Sequence, residues 1–287
     1  MSKILCPAKI NLFLNVLGKK GTMHNLCLIN QTIDLYDEIK MIPSDDLEIH
    51  IVSEDDIPLD ETNSIFKAAK LMKEKFDIPD GFVFKVKKNI PTEAGLGGES
   101  TDAAGTMILL NQYYNLGLST EELSRLGIQI GSDVPYFIHS GFQMVTSIGD
   151  QVQTPPFQNP YDSYIIVKPN FGLSTKEMFQ KVDSLPLKRV PLTKMPYNDF
   201  MNVVPSSIHK IESKIQKMGI SEHTLSGSGS SYYIPLKEKN LDLFSKIQKA
   251  FPSYQVYLVN NCDGYYMPYD HLLDDSHQKK KTGYPYE

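Results

Sequence analysis

A glycine-rich segment in the middle of the chain carries the strongest chemical signal in the sequence. It runs from Pro91 to Ala104 and reads Pro-Thr-Glu-Ala-Gly-Leu-Gly-Gly-Glu-Ser-Thr-Asp-Ala-Ala. Glycine has no Cβ, so backbone N–H groups in such a turn can approach an anion closely. A helix that starts directly after the turn adds unsatisfied N–H donors and the positive end of its dipole. The segment favours a phosphate-binding turn, and a tight strand-to-helix turn without a ligand is the alternative. The glycine spacing in Pro91–Ala104 matches neither the phosphate-binding loop pattern GxxxxGK[ST] nor the dinucleotide-binding pattern GxGxxG.

Two ionisable side chains stand among apolar neighbours elsewhere in the chain. Lys9 shares one face of a predicted strand, Pro7 to Leu14, with Asn11. A lysine at such a position usually reaches solvent, or else it faces an anionic site. Asp133 precedes Val-Pro and an apolar run, where the commonest role of an aspartate is that of a helix N-cap.

A second glycine-rich run, Leu225 to Ser231, precedes a predicted strand near the C-terminus. Taken alone it is typical of an ordinary turn. Paired with the first run, it could form the opposite wall of a phosphate site. Its candidate residues are Ser226, Gly227, Ser228 and Gly229.

The elements that must position these residues alternate between helix and strand along the whole chain. An apolar stripe at Ile65, Ala69, Met72 and Phe76 has helical spacing. Ser119 and Glu122 form a capping box for a helix that ends at Gly127. Further helices are predicted over 100–114, 208–218 and 244–251, and strands over 47–51, 82–86, 164–167 and 254–258. The pattern predicts an α+β protein.

Three prolines at 155, 156 and 160 mark a change in composition near the middle of the chain. We place a domain boundary there, which gives an N-terminal domain over 1–157 and a C-terminal domain over 158–268. The polar residues 269–287 are predicted to be a tail with little order of its own.

The composition excludes several classes of protein. Of the 287 residues 41% are hydrophobic and 22% are charged, and the formal net charge is −5, which argues against a general electrostatic nucleic-acid binder. There is no run of about 18 apolar residues and no signal-peptide core near the N-terminus. The three cysteines form no close pair, which is typical of free thiols in a reducing cytoplasm. We therefore expect a cytoplasmic enzyme or binding protein without a nucleic-acid or membrane partner.

Taken together, in this order and spacing, the three segments Pro7–Leu14, Pro91–Ala104 and Leu225–Ser231 resemble the three motifs of the GHMP kinase superfamily. Five other segments support the resemblance: Thr32–Ile39, Asn63–Ala69, Gly131–Ile138, Lys168–Thr175 and Tyr197–Phe200. The resemblance implies an N-terminal domain similar to ribosomal protein S5, a C-terminal ferredoxin-like domain and an active site in the cleft between them.

The resemblance also implies roles for individual residues. Asp133 would be the general base toward a substrate hydroxyl, and Lys9 would hold Asp133 ionised and stabilise the nucleophilic oxygen. ATP and Mg²⁺ are the implied cofactors, with Ser100 as a possible metal ligand. The implied ATP-binding residues are Pro91, Thr92, Glu93, Ala94, Gly95, Leu96, Gly97, Gly98, Glu99, Ser100 and Thr101.

Within the superfamily the resemblance is to members that phosphorylate a small molecule, a cytidine diphosphate-linked polyol. His24 would bind the cytosine, Phe179 would stack on it, and Asn11 would contact the polyol. A monomer or weak homodimer is implied. Two positions depart from the pattern, because Met23 replaces a tyrosine and Glu99 replaces a glycine or serine. They leave open a GHMP kinase for another alcohol, and a non-catalytic GHMP-like binding paralogue.

Overall fold

The computed structural model describes residues 2–267, which form eleven strands and seven α-helices. In chain order these elements are β1 (Ser2–Lys20), β2 (Met23–Ser44), β3 (Ile49–Val52), α1 (Ser64–Lys75), β4 (Gly81–Lys87), α2 (Gly98–Tyr113), α3 (Thr120–Gly127), α4 (Val134–His139), β5 (Phe142–Ser147), β6 (Gln151–Gln153), β7 (Ser163–Lys168), α5 (Thr175–Val182), β8 (Tyr197–Asn198), α6 (Ser206–Lys217), β9 (Thr224–Leu225), β10 (Tyr232–Leu236), α7 (Leu241–Ala250) and β11 (Gln255–Asn260). Short 3-10 helices at Leu192–Lys194 and Asp199–Asn202 flank β8.

The first sheet is built around an unusually long antiparallel pair, β1 and β2. Its strand order is β3-β4-β2-β1-β8, and β5 and β6 extend it from a second part of β2. Residues 6–16 of β1 are buried on both faces, because α2 covers one face and the second half of the chain covers the other. Burial on both faces explains why the apolar pattern of this strand is nearly continuous.

The second sheet has the order β11-β7-β10-β9, and every neighbouring pair is antiparallel. With α6 between β7 and β9, and α7 between β10 and β11, this is the β-α-β-β-α-β arrangement of a ferredoxin-like domain. The α+β prediction is confirmed, and so is the ferredoxin-like order of the second sheet.

Most predicted helices form close to their expected limits. The capping box at the start of α3 is present in both directions between Ser119 and Glu122. Helix α2 begins at Gly98, two residues earlier than predicted, so part of the glycine-rich run is helical. The predicted strand over 47–51 starts only at Ile49, because Leu47 has a left-handed backbone (φ 64°) that cannot pair in a sheet.

The proline-rich stretch joins the two sheets, since β6 ends at Gln153 and β7 begins at Ser163. Strand β8 then returns to pair with β1 in the first sheet. The domain limits near residue 157 remain a prediction, and the predicted tail over 269–287 lies outside the described residues. Within residues 2–267 no helix is both long and apolar enough to cross a membrane.

Candidate active site

The two glycine-rich runs interlock directly. The Ser226 hydroxyl donates to the carbonyl oxygen of Gly95 at 2.9 Å. The backbone N–H of Ser231 donates to the carbonyl oxygen of Ala94 at 3.1 Å. Gly95 has φ 72°, and a Cβ at this position would lie 2.0 Å from the carbonyl oxygen of Ser226. Only glycine therefore allows this approach, and the two runs act as one structural unit.

The central run also lies against β1 and α4. The backbone N–H of Lys9 donates to the carbonyl oxygen of Leu96 at 3.0 Å. A Cβ on Gly97 would lie 2.6 Å from the Phe137 ring and 3.2 Å from Cγ of Lys9. The turn thus ends beside the Lys9 side chain, and the free N–H groups of the first turn of α2 follow it.

Lys9 and Asp133 lie together at this point. The Lys9 ammonium is 3.8 Å from Oδ2 of Asp133, with the lysine side chain 4% exposed and the aspartate 37% exposed. Burial lowers the pKa of Lys9, and the charge of Asp133 opposes that effect. The Lys9 side chain therefore does not reach solvent, although a lysine at such a position usually does.

Asp133 occupies the N-cap position of α4, as its place in the sequence favours. Its side chain nevertheless makes no capping hydrogen bond. The expectation of an ordinary N-cap aspartate is wrong in this respect, because the carboxylate turns toward the Lys9 ammonium and away from the helix. Its oxygens are available to an incoming group.

A row of amides continues from Lys9 along the sheet. The Lys9 ammonium donates to Oδ1 of Asn11, and the Asn11 amide nitrogen donates to Oδ1 of Asn30 at 2.7 Å. The register between β1 and β2 shifts between Asn11 and Phe13. Such bulges re-aim side chains near functional sites. The sequence reasoning missed Asn30, and the only signal for it is a polar pair, Asn30 and Gln31, inside an otherwise apolar run.

His24 and Phe179 meet at the far end of the β1–β2 hairpin. Their rings stack with centroids 4.2 Å apart and an interplanar angle of 20°. Nε2 of His24 is 2.7 Å from Oδ1 of Asp183, whose other oxygen is 2.7 Å from the Lys19 ammonium. Hydrogen bonds from Lys19 and then His24 lower the pKa of Asp183. The exposed Met23 adjoins this pair.

Comparison with known proteins agrees with this geometry. Residues 63–141 match the model of the GHMP kinases N terminal domain. A 4-diphosphocytidyl-2-C-methyl-D-erythritol kinase of Clostridioides difficile is 36% identical over 276 residues, covering 88% of this chain and 93% of that protein. A protein of the same name from Clostridium perfringens is 36% identical over 231 residues, 78% of each chain. The chain belongs to this family of GHMP kinases.

The fold agrees with that membership. A crystal structure of a 4-(cytidine 5'-diphospho)-2C-methyl-D-erythritol kinase superposes with a TM-score of 0.76 at 23% identity, covering 91% of this chain and 100% of the other. The GHMP kinase fold predicted from the resemblance is therefore confirmed. Membership of a kinase family implies ATP as the phosphoryl donor.

Within residues 2–267 of this GHMP kinase, no group of three or more histidine, cysteine, aspartate or glutamate side chains is arranged to hold a metal ion. Mg²⁺ in kinase sites needs only one or two protein oxygens, because phosphates and water supply the others. Ser100 and Glu99 offer a hydroxyl and an exposed carboxylate in the first turn of α2. These donors fit Mg²⁺ bound together with a nucleotide.

The second glycine-rich run of this GHMP kinase has a support that the sequence reasoning did not identify. The buried amide of Asn198 donates to the carbonyl oxygens of Leu225 at 2.8 Å and Gly227 at 2.9 Å. Because β8 pairs with β1, Asn198 fixes the run relative to the strand that carries Lys9. The signal in the sequence was its place in the segment Tyr197–Phe200.

Proposed function

We propose that this protein transfers the γ-phosphoryl group of ATP to the 2-hydroxyl of 4-diphosphocytidyl-2-C-methyl-D-erythritol. The observation that carries the proposal is the Lys9–Asp133 pair beside the interlocked glycine-rich runs, in a chain of this kinase family. Phosphoryl transfer needs alignment and charge neutralisation more than covalent help from the protein, and this arrangement offers both.

Asp133 is the general base in this proposal. Its carboxylate accepts the proton of the substrate hydroxyl as the oxygen forms its bond to the γ-phosphorus and the bond to the ADP oxygen breaks. Lys9 stabilises the negative charge that develops on the attacking oxygen, and Asn11 holds the Lys9 ammonium in place. Ser100 and Glu99 would hold Mg²⁺ together with the nucleotide, and the bound ion would neutralise phosphate charge.

The proposal assigns phosphate binding to residues 91–101, supported by Ser226, Gly227, Ser228 and Gly229. The N–H groups of the turn and of the first turn of α2 are the donors that suit phosphate oxygens. The contacts between the two runs support this assignment, because they fix the backbone of the turn before a ligand arrives.

The stacked His24 and Phe179 form the binding site for the cytosine in this proposal, and Asn11 contacts the polyol. His24 pairs with Lys19 of β1, so the cytosine site and Asn11 lie at separate points along the same strand. An elongated substrate, with a base at one end and the reacting hydroxyl at the other, suits this placement. The proposal includes a cytoplasmic location, no nucleic-acid or membrane partner, and a monomer or weak homodimer.

The decisive experiment measures ADP formation with ATP, Mg²⁺ and the cytidyl substrate. We expect turnover that depends on this substrate, and background rates with homoserine, mevalonate or mevalonate phosphate. Preference for one of those alcohols would support a GHMP kinase of another specificity, to which the exposed Met23 points. Absence of ATP binding in a calorimetric titration with Mg²⁺ would instead support a non-catalytic paralogue.

A further inference from the structure

The turn between β5 and β6 contacts the chain directly before Asp133. Gly149 lies in this turn, is buried and has φ 100°. A Cβ at this position would lie 2.3 Å from the carbonyl oxygen of Ser132. The backbone of Gly149 thus packs against the Ser132 carbonyl so closely that only glycine allows the approach. The contact joins the β5–β6 turn to the segment that carries the proposed general base.

The Ser132 carbonyl group helps to set the position of Asp133. It belongs to the peptide group that joins the two residues, and a peptide group is planar, so its oxygen moves together with the nitrogen and Cα of Asp133. On the other side, the backbone N–H of Phe137 in α4 donates to the carbonyl oxygen of Asp133 at 3.2 Å. The Asp133 side chain makes no capping hydrogen bond. The placement of its carboxylate therefore depends on these two backbone contacts.

The turn itself is held in an unfavourable conformation by its surroundings. Ser147 has φ 63°, a left-handed value that residues other than glycine rarely adopt. Its hydroxyl accepts from the Lys20 ammonium at 3.3 Å, and the backbone N–H of Gly149 donates to the carbonyl oxygen of Thr146 at 3.3 Å. Strand β5 pairs along β2, and α4 packs against β6. Strained residues of this kind persist where the surrounding structure fixes them, and they cluster at functional sites.

We propose that Gly149 is a positioning residue for the reaction, and that it holds the Ser132–Asp133 peptide group where the Asp133 carboxylate meets the substrate hydroxyl. The inference rests on the proposed function, because it takes Asp133 to be the general base. A Cβ at residue 149 would have to push the Ser132 carbonyl oxygen away by about 1 Å to reach ordinary van der Waals contact. A displacement of that size in a catalytic group can lower a rate about 10²-fold.

The test is steady-state kinetics of Gly149→Ala with ATP, Mg²⁺ and the cytidyl substrate. We expect kcat to fall about 10²-fold, because the general base is displaced. The KM for ATP and the calorimetric affinity for ADP should stay close to wild type, because the two glycine-rich runs are held by contacts with each other and with β1. A rise in the KM for ATP that accounts for the lost activity would contradict the inference.

Gly219→Ala is the matched control. Gly219 also has a positive φ, 79°, but a Cβ there would contact nothing within 4 Å. It follows α6, outside the residues that the proposed function uses. The control variant should lose some stability to backbone strain and keep the wild-type kcat. Equal kcat in wild type and Gly149→Ala would overturn the inference alone, whereas a wild type without turnover on the cytidyl substrate would overturn the proposed function as well.

The double variant Ser147→Gly/Gly149→Ala separates the collision with Ser132 from a general loss of stability. Glycine adopts the φ of residue 147 without strain, so Ser147→Gly offsets the strain that alanine adds in the same turn. The double variant also supplies folded protein if Gly149→Ala is too unstable to purify. We expect an unfolding temperature near that of wild type and a kcat that stays reduced, because the collision remains. Recovery of kcat together with stability would show that Gly149 serves only the fold.

Discussion

The Lys9 ammonium lies 3.8 Å from the Asp133 carboxylate, with the lysine buried and the aspartate open to solvent. The pair forms because α4, which begins after Asp133, packs against α2, and α2 packs against the strand that carries Lys9. A buried cation thus faces a carboxylate that a substrate can reach. Asp133 makes no helix cap, and Asn11 is the only side chain that accepts a hydrogen bond from the Lys9 ammonium within the described residues.

Replacement of Asp133 by asparagine is expected to reduce kcat by about 10²–10⁴-fold, because the proton acceptor is lost. The KM for ATP and the unfolding temperature should stay close to wild type, since the side chain is partly exposed and caps nothing. Steady-state kinetics and thermal unfolding check these expectations. Asp242→Asn, at an exposed aspartate in the first turn of α7, is the control and should retain full activity. Wild-type turnover in Asp133→Asn would remove this residue from the mechanism.

Replacement of Lys9 by methionine should separate activity from stability. We expect kcat to fall about 10²–10³-fold, the usual effect of losing one well-placed electrostatic group. The free energy of unfolding should change by only about 1 kcal/mol, because methionine fills the buried site and only one hydrogen bond, to Asn11, is lost. Urea unfolding measures this change. A loss of stability that accounts for the loss of rate would contradict the assigned role.

The lowered pKa of Lys9 also gives a pH dependence of stability. At alkaline pH the unfolded chain keeps a proton on Lys9 that the folded chain has already released. Stability attributable to Lys9 therefore increases with pH across the window between the lowered folded pKa and the ordinary lysine value. Urea unfolding gives the free energy of unfolding of the wild type minus that of Lys9→Met, and this difference should be larger at about pH 10 than at about pH 8. A smaller difference at the higher pH would mean that burial does not destabilise the charged form of Lys9.

Replacement of Gly95 by alanine should separate the two glycine-rich runs. Gly117 has a similar positive φ, 69° against 72°, but a Cβ there would contact nothing within 4 Å. Gly117→Ala should therefore cost only the backbone strain, about 1–2 kcal/mol. Gly95→Ala should cost more and weaken ADP binding, because Cβ would overlap the carbonyl oxygen of Ser226. Equal losses of unfolding free energy, with unchanged ADP affinity, would show that the contact between the runs is dispensable.

Replacement of Phe179 by leucine should weaken binding of the cytidyl substrate and leave ATP binding unchanged. Loss of ring stacking is expected to raise the KM for the cytidyl substrate up to about tenfold, with the KM for ATP unchanged. Phe76→Leu is the control, because Phe76 is also a partly buried phenylalanine but ends α1, away from His24. If the KM for ATP rose together with the KM for the cytidyl substrate, Phe179 would support the fold in general and would not recognise the base.

Local chemistry in the sequence determined much of the secondary structure. The capping box at Ser119 and the apolar stripe from Ile65 depend on residues within a few positions of one another, and both predict their helices correctly. The glycine-rich run predicted a turn before a helix for the same reason, although α2 starts inside the run. The family resemblance also depends on the order of motifs along the chain. It led us to expect the GHMP kinase fold and the pairing of Lys9 with Asp133.

Tertiary structure decided which polar groups meet and which of them are buried. Nothing near Asp133 in the chain indicates that its carboxylate lies close to Lys9 without capping α4. Nothing near Lys88 indicates that it pairs with two carboxylates. These arrangements depend on which faces of β2, α2 and α4 pack together. A charged side chain has the same local sequence whether it reaches water or is enclosed, so only the packed chain sets its partners, its burial and its protonation.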